Sequence, residues 1–387
     1  MHLWVLYYKF IKIFNLNILE IKSLNKSWII SIYKDIRRIN MNKLIKVLAV
    51  LMCFSFGSAK AVEIVSFNAA SSEAYVGAFV KGIKATAEQY GYDITVFENN
   101  YNQAEQNQQV EQYLSSGALP DVFIWWPPDA VAGLGSLRKL AKTGVPVLKI
   151  NQLPNEQDKA FIFGYAGPDD SLRAYNAGEM MVKAMKMKQA AGGDGYNVIA
   201  LSYPHSYGGY GLSINAFKQA IAGTDLNLIG DIGEGFGQAN GYKGAAKLIA
   251  KVKDQGIHFV YGMDDAILTG GIKALEEAGY NVDWYAGTGK SGSVDSDAVI
   301  TVGTVCNGDK QMITDGKQFG TTLQSPLHEG QLAIALVKEY MENGKLANYI
   351  NFTPNPSVTG ATMDFTALRG FDGKLYGINE LCSGAWD

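Results

Sequence analysis

From Val62 onward the sequence repeats one rhythm, a short β-branched run followed by a stretch with helical spacing, and that rhythm leaves few folds open. The runs are Glu63 to Phe67, Ile94 to Glu98, Val122 to Trp125, Val145 to Ile150, Asn197 to Ser202, Phe259 to Gly262 and Val299 to Val305. Between them, helical spacing covers Tyr75 to Tyr90, Gln103 to Ser116, Asp129 to Thr143, Ser171 to Met187, Ile214 to Ala222, Gly241 to Gln255, Leu268 to Ala278 and Glu329 to Asn343. Gly91, Gly144, Gly256 and Gly279 stand where helices hand over to the next strand, as C-terminal caps do. Strand, helix, strand at this period predicts an α/β fold of parallel sheets flanked by helices. More strands are present than one compact sheet normally takes, so two such units are expected. No low-complexity linker separates them, so the halves are expected to be joined by chain crossings.

The first 61 residues read as processing signals. From Met41 a basic start, Met-Asn-Lys-Leu-Ile-Lys, leads into the apolar run Val47 to Phe56 and then into small residues ending at Ala61. Those are the three parts of a secretory signal peptide, with cleavage expected near Ala61. The run falls short of the roughly 20 residues a membrane span needs, and Met52 precedes Cys53 where a lipidation signal places a small residue. Residues 1–40 carry no caps or clear periodicity and read as an extension upstream of the true start, Met41. Over the whole chain 34 Lys/Arg face 37 Asp/Glu, but residues 62–387 hold 24 against 35, a net charge of −11. An acidic body argues against nucleic acid as a partner.

Export also changes the cysteines. With Cys53 removed, Cys306 and Cys382 remain, an even number in an oxidising compartment, and a disulfide is expected; two buried thiols are the alternative. The four histidines are scattered and no CxxC occurs, so no metal site is expected. Gly230 to Gly237 lacks the strand, GxGxxG and helix context of a dinucleotide site, and no cofactor is expected.

Open parallel sheets bind ligands at the carboxyl ends of their strands. Those ends carry Asn68, Glu73 and Tyr75 after the first run, Trp126 after the third, Asn151 and Gln152 after the fourth, and Tyr203-Pro-His205-Ser-Tyr207 after the fifth. Phe236 lies in a glycine-rich turn, Asp264-Asp265 follow Phe259 to Gly262, and Asn307 follows Val299 to Val305. Carboxylates, amides and flat rings together suit a polyhydroxylated ligand, because Asp, Asn and Gln bond vicinal hydroxyls while aromatic rings cover the apolar face of a sugar. They do not suit a phosphate. Asp169-Asp170 reads as a helix start, and His205 as a loop or packing residue.

The chain also resembles the periplasmic sugar-binding proteins of the ribose and galactose type, which feed ABC importers. The resemblance runs from Glu63 to Thr359 and rests on Gly82-Ile-Lys-Ala-Thr-Ala-Glu-Gln-Tyr-Gly-Tyr, Pro127-Pro-Asp-Ala, Gly144-Val-Pro-Val and Ala216-Phe-Lys-Gln-Ala. Most telling is Phe259-Val-Tyr-Gly-Met-Asp-Asp-Ala leading into Gly271-Ile-Lys-Ala-Leu-Glu-Glu-Ala-Gly. It implies the type I periplasmic binding fold, two similar lobes joined by three crossings near Gly167, Asn307 and Thr353. Residues 62–167 plus 308–352 would form the N-terminal lobe, and 168–307 plus 353–387 the C-terminal lobe. It puts Tyr75 at a ring-stacking position, Glu73 at a polar contact beside it, Asn151 and Gln152 at the place of an Asp-Arg pair, Phe236 at a second aromatic wall, Asp264 at a polar contact from the second lobe and Asn307 beside the hinge. Gln152 and Gly211 stand where arginines are usual, and Ala286 before Gly287-Thr288 replaces an aspartate.

The expected function is capture of a small polar solute, a monosaccharide or related polyol, between closing lobes by a monomer, for delivery to an ABC importer permease and its ATPase. The alternative is a periplasmic sensor that presents its closed form to a chemoreceptor or sensor kinase. No nucleophile or metal motif supports an enzyme, and export with an acidic body replaces what a sugar-responsive repressor would need.

Overall fold

The computed structural model describes residues 61–284 and 294–383. Residues 1–60, which hold all but the last residue of the predicted signal, and the Ala286 to Thr288 segment lie outside it. No described helix is long and apolar enough to cross a membrane.

The first sheet consists of β1 (Glu63–Ala69), β2 (Asp93–Asn99), β3 (Val122–Trp125), β4 (Val147–Ile150), β5 (Gly164–Gly167) and, from far along the chain, β11 (Ile350–Phe352). Their order is β11-β5-β4-β3-β1-β2, all parallel. A central parallel strand is buried on both faces, which is why Val-Phe-Ile-Trp reads as an unbroken apolar run. The two-residue period then sorts its side chains. Ile64, Val122, Ile124, Leu148 and Ile150 share one core with helices α1 (Ala74–Tyr90) and α9 (Pro326–Asn343), through Phe79, Ile83, Ala333 and Val337. Val65, Phe67, Phe123, Trp125 and Val147 form the opposite core with Val110 of α2 (Gln103–Ser115) and Leu137 and Leu140 of α3 (Leu134–Lys142). Each large apolar side chain buried this fully contributes about 1.5–3 kcal/mol. Helices α1 and α9 cross closely because Gly82 and Gly330 face each other: a Cβ on Gly82 would lie 2.5 Å from the Leu327 carbonyl oxygen.

The second sheet repeats the plan with β6 (Asn197–Leu201), β7 (Asn227–Ile232), β8 (Phe259–Gly262), β9 (Ile300–Val302), β10 (Gly320–Thr322) and β12 (Ser357–Thr359), in the order β12-β10-β9-β8-β6-β7. Only β12 runs antiparallel to its neighbour. Its flanking helices are α4 (Asp170–Ala190), α5 (Gly208–Ile221), α6 (Gln238–Val252) and α7 (Asp265–Glu277), and a single turn, α8 (Gln311–Thr314), precedes β10. Met181, Phe217, Leu248, Leu268 and Ile272 fill the core, with the Phe217 and Tyr261 rings stacked at 4.1 Å.

Three crossings join the sheets. The second was expected near Asn307, with residues 308–352 in the first lobe; instead β10 pairs with β9 and β12 in the second sheet, so the chain crosses only at Leu323-Gln324-Ser325, between β10 and α9. The others run from Gly167 to α4 and from Phe352 to β12. Buried Asn355 ties all three: it sits in the third, its Nδ2 donates to the Leu323 carbonyl at 2.9 Å, and its Oδ1 accepts from Asp169 N at 3.4 Å. After β12, the hairpin of β13 (Ala367–Arg369) and β14 (Leu375–Gly377) leads to a short helix, Ile378–Leu381. This tail meets α9 through Gln331 and Tyr376, 3.0 Å apart, and brings Cys382 to Cys306 at disulfide distance, with Cα atoms 5.1 Å apart.

Candidate functional site

The strands of both sheets end at one cavity of about 330 Å³. The first lobe contributes Glu73 and Tyr75 from the start of α1, Tyr101 after β2, Trp126 and Pro128 after β3, and Asn151 and Gln152 after β4. The second contributes Tyr203 after β6, Tyr207 before α5, Phe236 after β7, Asp264 and Ala266 at the start of α7, and Val305 and Asn307 after β9. Gln324 reaches it from the second crossing. A neighbouring cavity of about 430 Å³ shares Pro128, Gln152, Tyr207 and Phe236 and adds Asp129 and Asp170.

Nine of the ten residues expected at a binding site, Glu73, Tyr75, Trp126, Asn151, Gln152, Tyr207, Phe236, Asp264 and Asn307, line this one cavity. Asn68 does not. The first strand runs on to Ala69, two residues past its expected end, so Asn68 is fully buried within the sheet. Its Oδ1 accepts from Ser66 Oγ at 2.8 Å and its Nδ2 donates to the Ala69 carbonyl. Trp125 faces the α2 and α3 side, which leaves Trp126 as the cavity tryptophan. Gly211 lies in the first turn of α5 outside the lining, and His205 stacks on Tyr210 beyond it. Beyond those nine the lining includes Tyr101, Pro128, Tyr203, Gly237, Ala266, Val305 and Gln324, and sequence reasoning singled out neither Glu329 nor Arg173 behind the wall. Tyr203 stood in the right loop and had an aromatic signal; Val305 had none.

Aromatic rings rise from both lobes. Tyr75 and Trp126 meet edge to face at 6.0 Å in the first, and Tyr203, Tyr207 and Phe236 form a cluster with centroids 5.2 Å apart in the second. Phe236 is 49% exposed, although its ring packs against those of Tyr203 and Tyr207. Between the walls lie polar groups held by their own backbone. Asp264 caps α7, its Oδ1 accepting from Ile267 N at 2.6 Å. Asn307 Oδ1 accepts from Asp265 N and Ala266 N, so its amide N–H groups remain for a ligand. Gln152 is the reverse: its Nε2 donates to the Pro127 carbonyl at 2.7 Å, leaving Oε1.

Behind Tyr75 sits fully buried Glu329. Its Oε2 accepts from Tyr75 Oη at 2.8 Å and from Asn151 Nδ2 at 3.3 Å, while Gln324 Nε2 donates to Tyr75 Oη at 2.5 Å. Burial pushes Glu329 up to about 8, against those two hydrogen bonds. Burial likewise raises Asp265 to about 8, although Thr321 and Gln318 donate to it, and Asp264 to about 6. Arg173 of α4 is 1% exposed and bound to Asp170 Oδ1, Thr304 Oγ1 and the Met263 carbonyl, and so is engaged behind the wall. Among the described residues, no group of three or more His, Cys, Asp or Glu is placed to hold a metal ion.

Four non-glycine residues among those described have φ in the left-handed region: Tyr101, Asn151, Val305 and Cys306. Three line the cavity and the fourth adjoins it. Strained backbone concentrates at binding sites, where the surrounding fold holds it in place.

Two lobes of parallel sheet, three crossings and a polar, ring-walled cleft between them define a ligand-binding protein of the two-lobed periplasmic type. Residues 64–346 match the periplasmic binding protein domain family, and the chain belongs to it. No curated protein sequence matches it significantly. Among solved structures, a galactofuranose-binding protein superposes with a TM-score of 0.65 at 18% identity, covering 77% of this chain and 95% of that one. The arabinose ABC transporter binding component of Shewanella sp. ANA-3, bound to L-arabinofuranose, gives 0.63 at 19%, over 77% and 92%. The Caulobacter myo-inositol-binding protein, bound to myo-inositol, gives 0.63 at 15%, over 79% and 95%.

Proposed function

We propose that this protein captures a small polyhydroxylated solute, a monosaccharide or related polyol, between its two lobes and delivers it to an ABC importer permease and its ATPase. The observation that carries this is the meeting of aromatic walls from both lobes across a cleft whose floor is amides and carboxylates. Rings cover the apolar face of a sugar, and the polar groups between them bond its hydroxyls. Structures of the same fold that hold arabinofuranose and myo-inositol support the choice of ligand. Contacts drawn from both lobes favour the closed state when ligand is bound, and the permease would read that state. On this reading the cleft performs no chemistry. The protein works in the periplasm as a monomer, with its signal removed near Ala61 and Cys306 bonded to Cys382.

A thermal-shift screen over pentoses, hexoses, inositols and sugar alcohols tests the proposal. A ligand at 100 times its Kd adds about 2.7 kcal/mol to the unfolding free energy, a rise of several degrees. If no member of the panel raises the Tm, capture of a polyol is refuted.

A further inference from the structure

Of the residues lining the main cavity and its neighbour, none is Lys, Arg or His, while Glu73, Asp129, Asp170 and Asp264 all face in. Asp170 is answered by Arg173 at 2.6 Å; Glu73, Asp129 and Asp264 have no ion-pair partner among the described residues. The amides add to the same bias, since Gln152 has given its N–H groups to backbone carbonyls and presents an acceptor. A neutral sugar offers hydroxyls that both donate and accept, but it carries no charge to balance these carboxylates. An ammonium group has three donors and no acceptor. Aromatic faces complete the match, because Tyr, Trp and Phe rings attract a cation as well as an apolar ring face.

We propose that the solute carries a positive charge, and that its ammonium group binds between Asp264 and the ring cluster of Tyr203, Tyr207 and Phe236. This rests on the cleft being the capture site proposed above, and narrows the ligand from a polyol to an amino sugar or other ammonium-bearing polyol. Asp264 is the anchoring carboxylate: it is 4% exposed, fixed by its helix cap, and lines the cavity. Its value near 6 leaves it ionised at neutral pH.

Calorimetry on purified protein stripped of bound solute, with D-glucosamine against D-glucose, D-galactosamine against D-galactose, and choline alone, distinguishes the cases. At least one amine is expected to bind about tenfold or more tightly than its neutral partner, equivalent to about 1.4 kcal/mol. Asp264→Asn keeps a side chain that caps a helix and removes the charge, so it should abolish that preference while the Tm without ligand is retained. Should the cap nonetheless suffer, Glu73→Gln, at an exposed position, should narrow the same preference. Neutral sugars binding as well as their amines would overturn the charge inference and leave sugar capture standing. Choline binding with no response to any sugar would support the charge inference and refute the polyol reading. Silence from all five compounds while a neutral polyol of the thermal-shift panel raises the Tm would overturn the charge inference alone; silence in both experiments would refute both.

Discussion

Glu329 gives the sharpest prediction about the energetics of this fold. Its folded-state pKa lies near 8 against an ordinary 4.5, because burial disfavours the charged form. For an acid raised on folding, stability is fully present below the unfolded value and is lost as pH rises through the folded one. Between pH 5 and pH 8 this single group should cost the folded state about 3.5 kcal/mol by that linkage. Glu329→Gln has no proton to lose and keeps an oxygen that can accept from Tyr75. Other groups, including Asp264 and Asp265, titrate in both proteins and cancel in the difference. Urea unfolding of both proteins at pH 5, 6, 7 and 8 measures it. Wild type should lose about 3.5 kcal/mol relative to the variant across that range, with most of the loss before pH 8. A difference that does not change with pH would show that Glu329 is ionised in the folded protein at neutral pH, and the reasoning would fail.

Three further outcomes are expected. Asn355→Ala strips the residue that ties the crossings and leaves the Leu323 carbonyl buried without its partner; stability should fall by about 1–3 kcal/mol. The unliganded radius of gyration by small-angle scattering should rise as well, and an unchanged radius would mean that Asn355 does not restrain opening. Phe236→Ala, at a half-exposed ring, should leave the Tm within a few degrees but weaken whichever ligand the screen returns by about tenfold, in keeping with about 0.5–1.5 kcal/mol for ring contacts beyond area burial. Equal affinity would move the ligand away from that wall. Cys382→Ser opens a loop spanning 76 residues, worth about 4.5 kcal/mol in the chain-entropy estimate, and alkylation of wild type should need reductant; ready labelling without it would exclude the bond.

The two sheets were readable because their central strands are unmistakable: Val122–Trp125 and Phe259–Gly262 are short apolar runs buried on both faces, and no helix pattern competes. The edges were not. Strand β5 is Gly-Tyr-Ala-Gly, whose glycines read as a turn, and β10 is only Gly-Thr-Thr, so the second crossing was placed too early. Helix α5 opens on Gly208-Gly209-Tyr210-Gly211, and poor helix formers hid its first turn until packing against α4 decided it. At the site, the rule that ligands sit at strand ends located the residues, but the exact end decides which side chains are free. Two extra residues of β1 took Asn68 into the sheet. Glu329 was hidden for another reason: it lies on a helix more than 250 residues from the tyrosine it bonds, and nothing local marks that meeting.

What distinguishes the cleft from the rest of the fold is that it is held against local preference. Val305 is β-branched and sits at φ 80°, where a side chain of that shape is a true outlier, and Tyr101, Asn151 and Cys306 share the same region of backbone space. Such residues cost on the order of 1–3 kcal/mol each. Beside them, Asp264, Asp265 and Glu329 are carboxyls taken out of water, each raised for that reason. The two sets come from different strand ends and both lobes, so one local accident of folding does not explain their meeting. The well-filled cores of both lobes supply the stability that lets the cavity wall keep strained backbone and buried acids in place. When a fold breaks its own local rules in one place on both sides of a cleft, the rules are being broken for the ligand.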